Sequence, residues 1–348
     1  MGKTFAYSLT IDDWQQYFSQ NGFSSTSLSF WIKGLYRNQS AWNQNLSKVQ
    51  IEQLNDHFSY ELPKIVHHFE SEDGTIKFQI QFHDGLEVET VLIPFFKRYT
   101  ICISTQVGCA MGCTFCYTAT QGLKRHLDAG EIVAQYVIAK NWLLEKNPDE
   151  LNPNIVFMGQ GEPLHNFDQC KKAIEILNSP QMVDVGLRQM TLSTVGYVPG
   201  LKRLNELLGI NIALSLHSAL ENERNELIPV NQRYPLAEII NLLDQRNLLK
   251  RQFITFEYLL IKNLNMTDGH VKALAELLGQ RKALINLIPF NPFPNSKWER
   301  PTDEETESFK QKLVANKLRV MVRNTKGDDI LAACGQLKIQ TMARTHAT

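Results

Sequence analysis

The chain has no excess of either charge: in 348 residues, Lys and Arg together number 36 and Asp and Glu 36. That balance removes the global basic signature of a nucleic-acid-coating protein, while leaving room for a local patch. No apolar run approaches the ~18 residues a membrane span requires. The opening MGKTFAYSLTIDDW lacks a charged stretch followed by an apolar one, and Ala6 breaks the myristoylation pattern. A cytoplasmic protein with no membrane partner is expected. There is no internal repeat and no low-complexity tract. Cysteine is scarce, six in all. In a reducing compartment a cluster of thiols indicates metal or redox chemistry, not a structural disulfide framework.

What is present is enough apolar sequence, 43%, for a full core. From residue 98 onward, short β-branched apolar runs alternate with amphipathic stretches. The strand candidates are YTICIST (99–105), NIVFMG (154–159), QMTLST (189–194), INIALSL (210–216), FITFEYLLI (253–261), LINLIPF (284–290) and LRVMVRN (318–324). Repeated strand–helix units imply a parallel sheet. Six or seven units suggest an open or partial TIM-like barrel, with a doubly wound sheet as the alternative. Upstream, TIDDWQQYFSQNG, SLSFWIKGLY and KVQIEQLNDHFSY read as three short helices with aromatic anchors. IKFQIQFHDGLEVETVLIP reads as a β-hairpin turning at Asp84–Gly85. The expected division is a helical domain over 1–65, a hairpin linker over 66–97, a catalytic barrel over 98–340 and a tail over 341–348.

Half of the cysteines fall in eight residues, CAMGCTFC, as Cys109, Cys113 and Cys116. The loop follows the first barrel strand, at the end of a parallel barrel where active sites form. Thiolates ligate zinc or iron–sulfur clusters. A zinc knuckle needs a fourth ligand, for which Cys102 and His126 are the candidates. A [4Fe–4S] cluster can accept three cysteines and leave one iron open. Cys170, in FDQCKKAIEIL, reads as helix packing.

The Cys-x3-Cys-x2-Cys spacing, with Phe115 before the last cysteine, resembles the radical S-adenosylmethionine (SAM) superfamily. GQGEP (159–163) resembles its Gly-Gly-Glu-Pro-type motif. CISTQVGC (102–109), LSTVGYVP (192–199), SLHSA with ERNELIPVNQRYP, IPFNPFP (288–294) and GDDILAACGQL (327–337) narrow the resemblance to the RlmN/Cfr family of adenosine C-methyltransferases, closer to the RlmN branch.

The resemblance implies a partial (βα)6 TIM-like barrel. It implies one [4Fe–4S] cluster held by Cys109, Cys113 and Cys116, with SAM on the open iron. It implies SAM contacts at Gly161, Glu162, Ser193, Ser215, Leu216, His217 and Asn291. Cys334 matches the methyl-accepting cysteine, Cys102 the second redox cysteine and Glu89 the proposed proton acceptor. The implied reaction methylates C2 of an adenosine in 23S rRNA and in some tRNAs, with C8 as the rival position. Its steps are a methylated Cys334, a 5′-deoxyadenosyl radical, a thioether-bridged RNA and a transient Cys102–Cys334 disulfide. The logic is chemical: C2 of adenine is electron-poor and carries no acidic proton, whereas a thiolate is a good nucleophile. The implied partners are RNA and an external electron donor of flavodoxin type, acting on a monomer. Lys97, Arg98, Lys124, Arg125 and His126 are the basic candidates near the cluster.

Three departures stand out. Tyr117-Thr118-Ala119 replaces the usual Ala-Thr-Gly after the third cysteine. Gln160 stands where Met is common before Gly-Glu-Pro. Serines precede Trp31 where relatives often carry an arginine.

Overall fold

The computed structural model describes residues 2–37, 45–96, 98–148 and 152–339. Lys97 and the expected 341–348 tail lie outside them. Three helices open the chain: α1 (Ile11–Gln20), α2 (Ser25–Arg37) and α3 (Lys48–His57). Thr10 with Asp13, and Ser47 with Gln50, form reciprocal capping boxes that start α1 and α3. The Ser24 hydroxyl accepts from Ser27 N–H at 3.0 Å, so the serines before Trp31 begin a helix. Trp14 and Trp31 pack edge to face at 5.7 Å and Trp14 meets Phe58 at 4.8 Å, building the expected aromatic anchor.

Ten strands then form one sheet: β1 (Lys64–Glu70), β2 (Ile76–Gln81), β3 (Glu87–Phe95), β4 (Arg98–Cys102), β5 (Asn154–Phe157), β6 (Met190–Thr194), β7 (Asn211–Ser215), β8 (Ile254–Leu260), β9 (Ala283–Pro289) and β10 (Val320–Val322). β1 to β4 run antiparallel to their neighbours and β4 to β10 run parallel. The spatial order follows the chain without a reversal. A doubly wound sheet requires a reversal at a switch point; one-way stepping is the topology of a barrel wall, and here the described strands leave it open. The hairpin turns where expected, with Gly85 at φ +80°. β1 was not anticipated, and the expected boundary at residue 65 falls within it.

Helices cross between the parallel strands. α4 (Ala129–Lys146) starts at a capping box of Asp128 and Glu131, and α5 (Phe167–Asn178) follows β5. α6 (Val198–Leu201), α7 (Glu221–Leu227), α8 (Leu236–Asp244), α9 (Asp268–Leu278) and α10 (Asp303–Ala315) complete the layer. Cys170 is buried on α5, as expected. No helix among the described residues is long and apolar enough to cross a membrane.

Candidate active site

The carboxyl ends of the parallel strands surround a cleft whose empty space, open solvent included, is about 970 Å³. The cysteine loop projects from a narrow neck, where Gln106–Val107 pairs antiparallel with Arg125–His126. Gly108 adopts φ +77° there, and a Cβ on it would collide with the Gly122 carbonyl. Cys109 N–H donates to that carbonyl at 3.2 Å, and Thr114 N–H donates to Leu227 O at 3.0 Å. The loop is thus pinned to its own neck and to α7.

All three loop cysteines line the cleft, together with Gly161, Glu162, Ser193, Ser215, His217 and Cys334. Burial raises the thiols of Cys109, to about 12, and of Cys113 and Cys116, and the sulfurs oppose one another's ionisation. Among the described residues no group of three or more His, Cys, Asp or Glu is disposed around a single metal ion. The zinc alternative also loses its fourth ligand. Cys102 lines a different cavity, and His126 is not among the residues that line the cleft with the three thiols. Three soft thiols on the wall of a roomy cleft suit a polynuclear iron–sulfur group.

Glu162 is 2% exposed. Its two carboxylate oxygens accept from Leu164 N–H at 3.1 Å and Val195 N–H at 3.0 Å. Burial nevertheless pushes its pKa up to about 7. The preceding Gly161, at φ +105°, is packed against Gln106, which would obstruct any Cβ. His217 also adopts a left-handed conformation, φ +59°. Its Nδ1 accepts from Leu259 N–H at 3.0 Å and its ring meets Phe115 edge-on at 4.6 Å. Burial, followed by the charge of Arg224, lowers its pKa to about 3, so the ring is neutral with its proton on Nε2.

A smaller cavity adjoins the first. Cys102, Asn291, Arg323 and Cys334 line it, and Cys334 and Arg323 line both. Cys102 and Cys334 are free thiols, and burial, with Cys334 nearby, raises Cys102 to about 12. Asn291 Nδ2 donates to Cys334 O at 3.2 Å. The segment bearing Cys334 is fastened on every side. Tyr117 N–H donates to Gly335 O at 2.7 Å, and Gln336 Nε2 donates to Pro292 O and Asp328 Oδ1, both at 2.7 Å.

Two expected residues line neither cavity. Leu216 is fully buried in the main core, and its N–H donates to Glu257 O at 3.0 Å. Glu89, on β3, is 2% exposed. It shares a strand face with Val91 and Ile93, which pack with Cys102, Ala332 and Leu337. Its Oε1 pairs with Lys77 Nζ at 3.0 Å, and Lys77 also reaches Leu331 O at 3.2 Å. Burial raises the Glu89 pKa against the pull of Lys77.

A profile of the Radical SAM superfamily matches residues 103–278. A "Dual-specificity RNA methyltransferase RlmN" of Lawsonia intracellularis is 42% identical over 293 residues, 82% of each chain. The protein of that name from Nautilia profundicola is 39% identical over 332 residues, 92% of this chain and 93% of its own. The chain belongs to the RlmN family of radical SAM methyltransferases. The crystal structure of a radical SAM methyltransferase from Sphaerobacter thermophilus superposes with a TM-score of 0.88 at 35% identity, covering 96% of this chain and 99% of that one. A [4Fe–4S] cluster and SAM are the cofactors of this class, and the thiol-lined cleft accepts them.

Several residues matter here that sequence reasoning did not single out. Arg224, fully buried in ERNELIP, donates to the carbonyls of Val195 at 2.7 Å, Ser215 at 3.2 Å and Leu216 at 3.1 Å. It ties the mouths of β6 and β7 together. Gln106, inside CISTQVGC, accepts from Glu162 N–H at 2.8 Å. Both sat in quoted motifs; Lys77, in the alternating IKFQIQF, carried no signal. The departures acquire contacts. Tyr117 stacks on Phe293 at 4.8 Å, and Lys338 Nζ lies 4.3 Å from the opposite partner of that stack, the Tyr117 ring centroid. Gln160 is 1% exposed, and neither end of its amide has a hydrogen-bond partner among the described residues. Of the basic candidates, Arg125 is committed to Asp84 and Glu131. Lys124 is exposed, and Arg98 starts β4, at the end of the sheet away from the cleft.

Proposed function

We propose that the protein methylates C2 of an adenosine in ribosomal RNA and in transfer RNA, in the cytoplasm, as a monomer served by a flavodoxin-type electron donor. The observation that carries this reading is the position of Cys334. It borders the three-cysteine cleft on one side and the Cys102 cavity on the other. Cys109, Cys113 and Cys116 would hold the cluster, and Glu162, Ser193, Ser215, His217 and Asn291 would surround SAM. When bound, the cluster and SAM would supply a methyl group to the Cys334 sulfur and the one-electron chemistry that activates the carbon of that methyl group. Cys334 presents the resulting carbon to the adenine. Glu89, whose ionised form Lys77 favours, would accept the displaced ring proton. Cys102 attacks the Cys334 sulfur to release the methylated base, and the disulfide so formed needs external reduction.

Nucleoside mass spectrometry of rRNA and tRNA from a deletion strain tests this. Loss of 2-methyladenosine is expected. Loss of 8-methyladenosine with 2-methyladenosine intact would move the reaction to C8. Full activity in Cys334→Ala would remove the thiol from the pathway.

A further inference from the structure

Beside the SAM cleft runs a row of rings that the chemistry above does not use. His126 and His165 meet edge to face at 4.9 Å, His165 meets Tyr197 at 4.9 Å, and Tyr197 meets Tyr234 at 5.6 Å. His126 is exposed, His165 and Tyr197 are half-buried, and Tyr234 is the buried anchor. The row touches the cleft at two points, since Pro163 and Val195, two residues before His165 and Tyr197, line it. Cations flank it: Lys124 is exposed, and the Arg233 guanidinium lies 5.4 Å from the Tyr234 ring centroid.

The histidines are held in one protonation state by a single amide. Gln106 Oε1 already accepts from the Glu162 N–H, so its Nε2 must be the group facing the imidazoles. That Nε2 lies 2.9 Å from His126 Nδ1 and 3.2 Å from His165 Nδ1. Both Nδ1 atoms are therefore acceptors, and each neutral ring carries its proton on Nε2. Desolvation lowers the pKa of both rings, in keeping with this arrangement. The rim thus offers flat, uncharged faces and two N–H donors, with cations set to its sides.

We propose that His126, His165 and Tyr197 form a stacking platform for the unpaired nucleotides flanking the target adenosine, with Lys124 and Arg233 on their phosphates. This rests on the RNA reading above and gives it a location. A base can enter the cleft only after leaving its own stack, and its neighbours then need replacement stacking partners. Aromatic side chains beside a basic flank are the usual provision for single strands.

The test is fluorescence anisotropy of the anaerobic holoenzyme with a labelled single-stranded oligouridylate carrying one adenosine, iron content and thermal midpoint serving as checks of folding. Tyr197→Leu and His165→Leu should each weaken binding about tenfold without changing its salt dependence, whereas Tyr197→Phe should stay within about twofold. Arg233→Gln should instead lower the salt slope by about one. Leucine variants that bind as tightly as the parent, or a Tyr197→Phe loss equal to that of Tyr197→Leu, would overturn the platform. A parent that binds neither this probe nor purified transfer RNA would overturn the RNA reading itself.

Discussion

Two single residues put the site's physics to measurement. Gln160 carries an amide into the interior with no partner at either end among the described residues. An unsatisfied buried amide costs about 1–3 kcal/mol. Gln160→Met, of similar volume, should therefore stabilise the protein by about 1–2 kcal/mol, read as a higher denaturation midpoint at unchanged slope. Glu162 sets a pH dependence. Burial raises its carboxyl from 4.5 to about 7. The folded state binds this proton more tightly than the unfolded one. Its contribution to stability is thus full below pH 4.5 and lost as pH rises through about 7. In the proposed site Glu162 bonds the amino group of SAM, and its ionised form is the better acceptor, so SAM affinity should tighten as pH climbs through about 7. Glu162→Gln should flatten that profile and weaken SAM binding by about tenfold or more, a lost charge-assisted hydrogen bond. Equilibrium dialysis of the anaerobic protein across pH checks both. At this scale the three clustered thiols that line the cleft were legible because their spacing is rare and local. The burial of Glu89 was not legible, because it depends on Lys77 across the strand and on Leu331, 242 positions from Glu89 in the chain, and alternation alone marks neither.

At the scale of elements, the segment around Cys334 behaves as a strap whose shape depends on Gln336. That side chain is 1% exposed. It receives Ala333 N–H at 3.1 Å and donates to Pro292 and Asp328. Gln336→Ala removes these contacts and should cost about 2–3 kcal/mol locally. Faster hydrogen exchange over residues 327–337, with the core strands unchanged, is the expected signature. A lower methyl occupancy of Cys334 by intact-mass analysis should accompany it. Exchange as slow as in the parent would mean that Tyr117 and Asn291 hold the strap without Gln336. The parallel strands and the amphipathic stretches between them were legible from periodicity. β1 was not: in KIVHHFE most residues are exposed, so no apolar alternation marks it, and only pairing with β2 makes it a strand. The neck beneath the cysteine loop is two residues wide on each side, too short for any pattern to register.

At the scale of the whole molecule, the expected helical domain over 1–65 and the barrel share their interior. One continuous apolar cluster runs from Ala6, Trp14 and Trp31 through Ile132 and Tyr136 of α4 into the sheet. The joint is tight at Gly130, where a Cβ would meet Ser8 Oγ at 2.2 Å and Phe5 Cδ1 at 2.7 Å. Ser8 Oγ donates to Asp128 Oδ1 at 3.3 Å, and Lys172 pairs with Asp13 at 3.1 Å. Both polar contacts are solvent-accessible and add little. The docking therefore depends on apolar packing across a glycine. A shared core makes unfolding cooperative, so scanning calorimetry should show one transition for the parent. Gly130→Val inserts an isopropyl group where no space exists, and backbone rather than a flexible tip lies in its path, since Ser8 N is only 2.8 Å from that Cβ. The variant should split the transition, the helical segment melting first while the barrel keeps its midpoint to within a few degrees. Two transitions in the parent would show that the helices and barrel unfold independently despite the shared cluster, and one intact transition in the variant would show that another contact couples them.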